Sequence, residues 1–178
     1  VRPLRLAHHV NANRMETPQM FRFTTAIAAA AIVSPYATGD DVIWTSPFDG
    51  SFLDPAAWST GAAPLFDDRA IFDHVGGRRV GIGADVWADQ VIARTGNAVL
   101  ELSGNVFTTL GVEPFDPNQM SLQVGSDTGD LGILELEGPG TFIGEAAVVG
   151  IDAGAVGFLP ITSGAPVELD TLSLSVWG

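Results

Sequence analysis

The sequence predicts an all-β chain whose C-terminal half is a glycine-punctuated parallel β-solenoid, and three observations carry that reading. The chain of 178 residues holds 21 Gly and 11 Pro, spread so that few stretches can sustain a long helix. Short aliphatic runs alternate with polar residues, at Val80-x-Ile82, Val91-x-Ala93 and Leu100-x-Leu102, separated by Gly, Asp and Asn in the manner of short strands joined by turns. Residues 124–136 recur as residues 149–161, and self-similarity at a fixed period is the signature of a repeat architecture.

The elements follow in chain order. Residues 1–37 read as a secretory signal peptide with an upstream extension. Arg22 precedes the small apolar run Thr24–Val33, and Ser34-Pro35 and Ala37 follow, which is the layout of an export signal. The run is too short to anchor the chain across a bilayer. The competing assignment for it is a buried core helix. Residues 1–14 carry three Arg and two of the three His without periodic pattern and are set aside from fold reasoning.

Residues 38–79 read as an N-terminal cap with short strands. A solenoid needs such a segment to keep its open end from pairing with another chain. The aromatics Trp44, Phe48, Phe52, Trp58, Phe66 and Phe72 gather there and read as the core of the cap rather than as an exposed sugar-stacking set. Trp87 and Trp177 stand isolated.

Residues 80–178 read as the solenoid. In the two copies, Val124-Gly125-x-Asp127-x-Gly129-x-x-Gly132-x-Leu134 aligns with Val149-Gly150-x-Asp152-x-Gly154-x-x-Gly157-x-Leu159, and Leu136 aligns with Ile161. A third copy begins at Leu172-Ser173-Leu174 and is truncated. Alternation at period two puts Leu122 and Val124, then Leu134 and Leu136, on one face. The recurring Gly supplies positive φ at corners. One rung cannot bury its apolar face alone, but stacked rungs share a continuous core. A small β-sandwich followed by a hairpin tail is the competing architecture.

Composition narrows the functions. There are 21 acidic residues against eight basic ones, all Arg, and none of those Arg lies after Arg94. Such a surface repels phosphate backbones, so nucleic acid is not an expected partner. Cysteine is absent, which excludes thiol catalysis and a disulfide framework.

The stretch Trp44 to Trp58-Ser59-x-Gly61-x-x-Pro64-x-x-Asp67-Asp68-x-Ala70-x-Phe72 resembles the opening of bacterial autotransporter-type surface proteins. The Val-Gly-x-x-x-Gly-x-x-Gly-x-Leu-x-Leu pattern at Val124 and Val149 resembles the repeats that follow that opening. The resemblance covers Trp44 to the end. It implies a right-handed parallel β-helix passenger displayed outside the cell with an adhesin-like role. The family's β-barrel translocator and sorting anchor have no counterpart in the residues given.

Asp127 and Asp152 share one repeat position, and Asp130 follows in the first copy. Stacked rungs place equivalent carboxylates about 4.8 Å apart, a like-charge pair that a hard cation relieves. Asp127, Asp130 and Asp152 are therefore the candidate calcium ligands. Turn chemistry explains the same residues, because Asp bonds its own backbone in tight turns, and the Gly-Gly-x-Gly-x-Asp ladder of calcium solenoids is absent. The same carboxylate spacing resembles that of retaining glycosidases, but nothing marks one Asp as a raised-pKa acid, and a lyase would need a base that no residue after Arg94 supplies. His74 reads as a turn residue. Ser46, Ser51 and Ser59 lack a His–Asp arrangement, and Gly76-Gly77 lacks the helix a phosphate loop needs. The expectation is a non-enzymatic, secreted or surface-displayed solenoid with a structural or adhesin-like role, meeting surface glycans or extracellular proteins. The alternative is carbohydrate binding or processing in an acidic groove. No cofactor is expected apart from calcium.

Overall fold

The computed structural model describes residues 39–74, 76–111, 120–125, 127–150 and 152–174. The expected export segment at residues 1–37 lies outside them. The fold is all-β, 52% strand and 2% helix. Two sheets, paired parallel throughout, account for the strands. Short strands appear because Gly, Pro and Asp interrupt the chain before a longer element can form.

One sheet takes β1 (Asp41–Ile43), β3 (Arg69–Phe72), β6 (Gln90–Ala93), β9 (Leu122–Val124) and β11 (Thr141–Val149) in that order, then β8 (Val106–Thr109) and β5 (Val86–Ala88), with β14 (Val167–Leu174) also on β11. The other takes β2 (Gly50–Ser51), β4 (Gly77–Gly81), β7 (Gly96–Glu101), β10 (Leu131–Glu137) and β12 (Val156–Phe158), with β13 (Ile161–Thr162) also on β10. The chain passes repeatedly from one sheet to the other, and each new strand lies beside its predecessor.

The long strands β11 and β14 each span two limbs of the first sheet. The N-terminal part of β11 pairs with β8 and its C-terminal part with β9. β14 follows β11 over both parts. The bend between the limbs falls at Gly144–Ala146. There a Cβ on Gly144 would lie 2.6 Å from Thr109 Oγ1, and the N–H groups of Glu145 and Ala146 donate to Ser121 Oγ.

The predicted repeat register is what the structure contains. Leu122, Ala147 and Leu172 align across adjacent strands, as do Val124, Val149 and Leu174. In the second sheet Leu131 aligns with Val156 and Leu136 with Ile161. Upstream the passes have other lengths: Val91 faces Ala70 on one side and Leu122 on the other.

Side chains on one face of each strand form the core. Val42, Ala70, Val91, Leu122 and Ala147 make one buried row, and Val80, Leu100 and Leu136 another. Stacked rings extend a third, with Phe107 and Phe142 at 5.6 Å and Phe52 edge-on to Phe107 at 5.1 Å. Along β3, β6, β9 and the C-terminal part of β11 the opposite face is also dry, for Ile71, Ile92, Gln123 and Val148 are buried. A face covered on both sides reads as a nearly continuous apolar run, which is why residues 146–149 (Ala-Ala-Val-Val) show no alternation.

The ladder begins at Asp41, inside the stretch assigned to the cap at residues 38–79, because β1 and β3 already align with β6. Residues 58 and 59 return beside β1 on the side away from β3. Trp58 bridges Trp44 antiparallel to the ladder, Ser59 N–H donates to Ile43 O at 2.8 Å, and Ser59 Oγ accepts from Ile43 N–H at 3.0 Å. These bonds occupy the backbone groups of Ile43 on the free edge of β1, one protection against edge pairing. Trp44, Phe52, Trp58 and Phe72 pack beneath it as expected, with ring centroids 5.0–6.2 Å apart. Phe48 and Phe66 do not. They are 75% and 63% exposed, because each sits in a turn whose polar neighbours bond the backbone, Ser46 at Phe48 and Asp68 at Leu65.

Two pairs of the recurring glycines serve different ends, where the sequence suggested one. Gly129 and Gly154 have φ of 89° and 83° and face open space, so they serve turn conformation. Gly132 and Gly157 are needed for close approach: a Cβ there would lie 2.4 Å from Ala93 O and 2.2 Å from Val124 O respectively.

Candidate functional site

The turns carrying Asp127 and Asp152 are built alike. Asp130 N–H donates to Asp127 O at 3.0 Å, and Ala155 N–H donates to Asp152 O at 2.9 Å. In the first turn Asp127 N–H also donates to Asp130 Oδ2 at 2.9 Å. That is the local Asp-to-backbone bonding expected of a tight turn. Asp127 Oδ2 further lies 3.5 Å from Arg94 Nε, so a cation from the preceding pass already faces this carboxylate. Among the described residues, no three His, Cys, Asp or Glu side chains come together as a metal-ligand group.

His74 donates its N–H to Thr95 O on the next pass at 3.0 Å. It lines a crevice with Arg78, Asn97 and the rings of Trp44 and Phe72. The cavity volume there is about 10 Å³, room for one water and not for a substrate. On the second sheet Arg79 bonds Glu137 and lies 3.7 Å from Glu101. The hydrogen bond to Glu137 raises the Arg79 pKa above its ordinary value. This three-residue cluster sits on an exposed face, its one positive charge shared between two carboxylates. Asp89, half-buried at a strand edge, has its carboxyl pKa raised by burial, a rise that Arg69 opposes and Asp67 adds to.

An open concavity lies at the bend of the first sheet. It has a volume of about 480 Å³ and is lined by Thr109, Ile143, Gly144, Glu145 and residues 167–170 (Val-Glu-Leu-Asp). β11 and β14 position its carboxylates. Ile143 aligns with Glu168, Gly144 with Leu169 and Ala146 with Thr171, so Glu145 and Asp170 lie opposite one another between the last two pairs. All three carboxylates, Glu145, Glu168 and Asp170, are exposed. The row through Ile143 continues away from the groove through Thr108 to Trp87, and Trp87 is 51% exposed.

The sequence reading singled out none of these groove residues and treated Trp87 as isolated. A signal was present for two of them, since Glu145 and Asp170 are separated by the same interval as Val124 and Val149. For Trp87 there was none: its partnership with Ile143 runs through two strand pairings of unequal sequence separation. Trp177 lies outside the described residues. No helix among the described residues is long and apolar enough to cross a membrane. No protein-family model, curated protein or solved structure matches the chain.

Proposed function

We propose that this chain is a right-handed parallel β-helix, exported and displayed at or beyond the cell surface, where it serves as a non-enzymatic structural or adhesin-like module. The observation that carries this reading is the unbroken parallel register of Val124, Val149 and Leu174 across three successive passes. A solenoid of this kind gives a long, stiff scaffold without disulfides, since each pass is held by its neighbours, and the chain has no cysteine. Excess negative charge favours solubility outside the cell and disfavours polyanionic partners. The export element of the proposal rests on the Arg22 to Ala37 pattern.

Two measurements test it. Expression with residues 1–37 intact, followed by antibody labelling of unbroken cells and of the medium, should find the protein outside; retention in the cytoplasm would overturn display. Hydrolysis and elimination assays on neutral and acidic polysaccharides should show no turnover.

A second reading, carbohydrate binding at an acidic groove, is favoured by one observation: the concavity lined by Glu145, Glu168 and Asp170. It is compatible with an adhesin-like role, because a displayed module adheres by binding what surrounds it.

A further inference from the structure

We infer that the outer face of the β5–β8–β11–β14 limb binds a cationic amino-sugar oligosaccharide, with Trp87 as its stacking platform and Glu145, Glu168 and Asp170 as its polar end. The inference rests on the carbohydrate-binding reading and narrows it to one ligand class and one strip of surface.

The strip is set by register. Trp87, Thr108, Ile143 and Glu168 occupy one outward row on four adjacent strands, so Trp87 and Glu168 lie about 14 Å apart along the stacking direction. The row runs from an exposed indole, through a hydroxyl and an aliphatic side chain, into the groove. An indole face offers apolar area with little loss of side-chain freedom. Carboxylates accept hydrogen bonds from several hydroxyl or ammonium donors at once. A ligand that matches both ends is extended, has one apolar face and carries many donors, which describes a short oligosaccharide.

Charge then selects within that class. Three carboxylates line the groove and no basic residue is among its lining residues. The chain carries a formal net charge of −13. Uronic or sulfated sugars would meet repulsion, while free amino sugars would be drawn in. A single metal ion is a poorer match, because these carboxylates form no three-ligand cluster among the described residues.

The experiment is calorimetric titration of the full chain at pH 6 with three probes of equal length: a glucosamine oligomer, its fully N-acetylated counterpart and an oligogalacturonate. The expected order is glucosamine oligomer tightest, N-acetylated oligomer at least tenfold weaker, and galacturonate without binding. Added salt should weaken the first and leave the second nearly unchanged. Trp87→Ala should weaken both binding oligomers about tenfold, whereas Glu168→Gln with Asp170→Asn should weaken only the amino form. These side chains are exposed, so melting temperatures should match the parent and confirm that the variants fold. N-acetylated oligomer binding as tightly as the amino form would overturn the charge assignment and leave the carbohydrate reading standing. Binding of the glucosamine oligomer that is indifferent to Trp87→Ala and to the double carboxylate change would overturn the site. Absence of binding to all three probes would overturn the inference and the carbohydrate reading together, while the display and scaffold proposal would still rest on its own labelling test.

Discussion

Gly132→Ala isolates the packing demand that the repeat imposes. A Cβ at this position would lie 2.4 Å from Ala93 O, 2.7 Å from Gly125 N and 2.9 Å from Arg94 O. All three atoms are backbone, and two of them already share a hydrogen bond, Gly125 N–H donating to Ala93 O at 2.8 Å. The methyl group therefore wedges into a link between β6 and the end of β9. Relieving the contact needs a backbone shift of about 1 Å to restore ordinary van der Waals separation. Overpacking of this kind costs about 1–3 kcal/mol, and weakening the buried hydrogen bond adds about 1 kcal/mol. Replacing Gly also restricts the unfolded chain, which returns about 0.4–1 kcal/mol. The net loss is about 2 kcal/mol, a fall in Tm of about 6 °C for a chain of this size. Urea unfolding followed by tryptophan fluorescence measures it. Gly129 provides the contrast, since φ there is 89° and the space beyond is open. Gly129→Ala should cost about 1 kcal/mol through φ alone, and Gly129→Asn should recover part of it, whereas Gly132→Asn should be no better than Gly132→Ala. If Gly132→Ala is neutral, or if Asn rescues position 132, the close-approach explanation fails.

Three further outcomes follow from the same geometry. Trp58→Ala removes a buried ring and the 2.7 Å bond from its Nε1–H to Phe52 O, and should cost about 3–5 kcal/mol, read as an early loss of protection in the 44–59 segment by hydrogen exchange. Asp89 has a folded pKa above its ordinary 3.8, so its protonated form is favoured in the fold. Its contribution is fully present below 3.8 and is lost as pH rises through the folded value. Asp89→Asn should accordingly raise Tm at pH 7 and lose that advantage on acidification; a gain that is constant from pH 3 to 7 would contradict the assignment. For the Asp127, Asp130 and Asp152 turns, Arg94 already supplies a positive charge, so a chelator should leave Tm unchanged, and a calcium-dependent rise would establish the metal site.

The repeat was legible because one interval links residues of like chemistry. Val124 with Val149 and Leu136 with Ile161 need only self-comparison, and the register follows from the alternation of apolar residues. The upstream passes were harder. Val91 aligns with Ala70 and with Leu122 at unequal sequence separations, and irregular loops between strands erase a fixed period. The acidic turns were legible as turns, since an Asp–Gly pattern carries its own backbone chemistry. Which counter-ion each Asp meets was not, because Arg94 and Asp127 lie on different passes.

What the sequence by itself determined is local. It set strand length through Gly and Pro, the inward face through alternation, and the Asp127 and Asp152 turns through their own backbone bonding. Tertiary structure decided what depends on two passes meeting. It separated Gly132, needed for close approach, from Gly129, needed for its φ, though both recur identically in the repeat. It buried Trp58 and left Phe66 in solvent, though both belong to one aromatic-rich stretch. It also put Trp87 in line with Glu168, residues that no spacing connects. Parallel pairing joins strands that are distant in the chain, so the site lies across the passes, while the sequence runs along them.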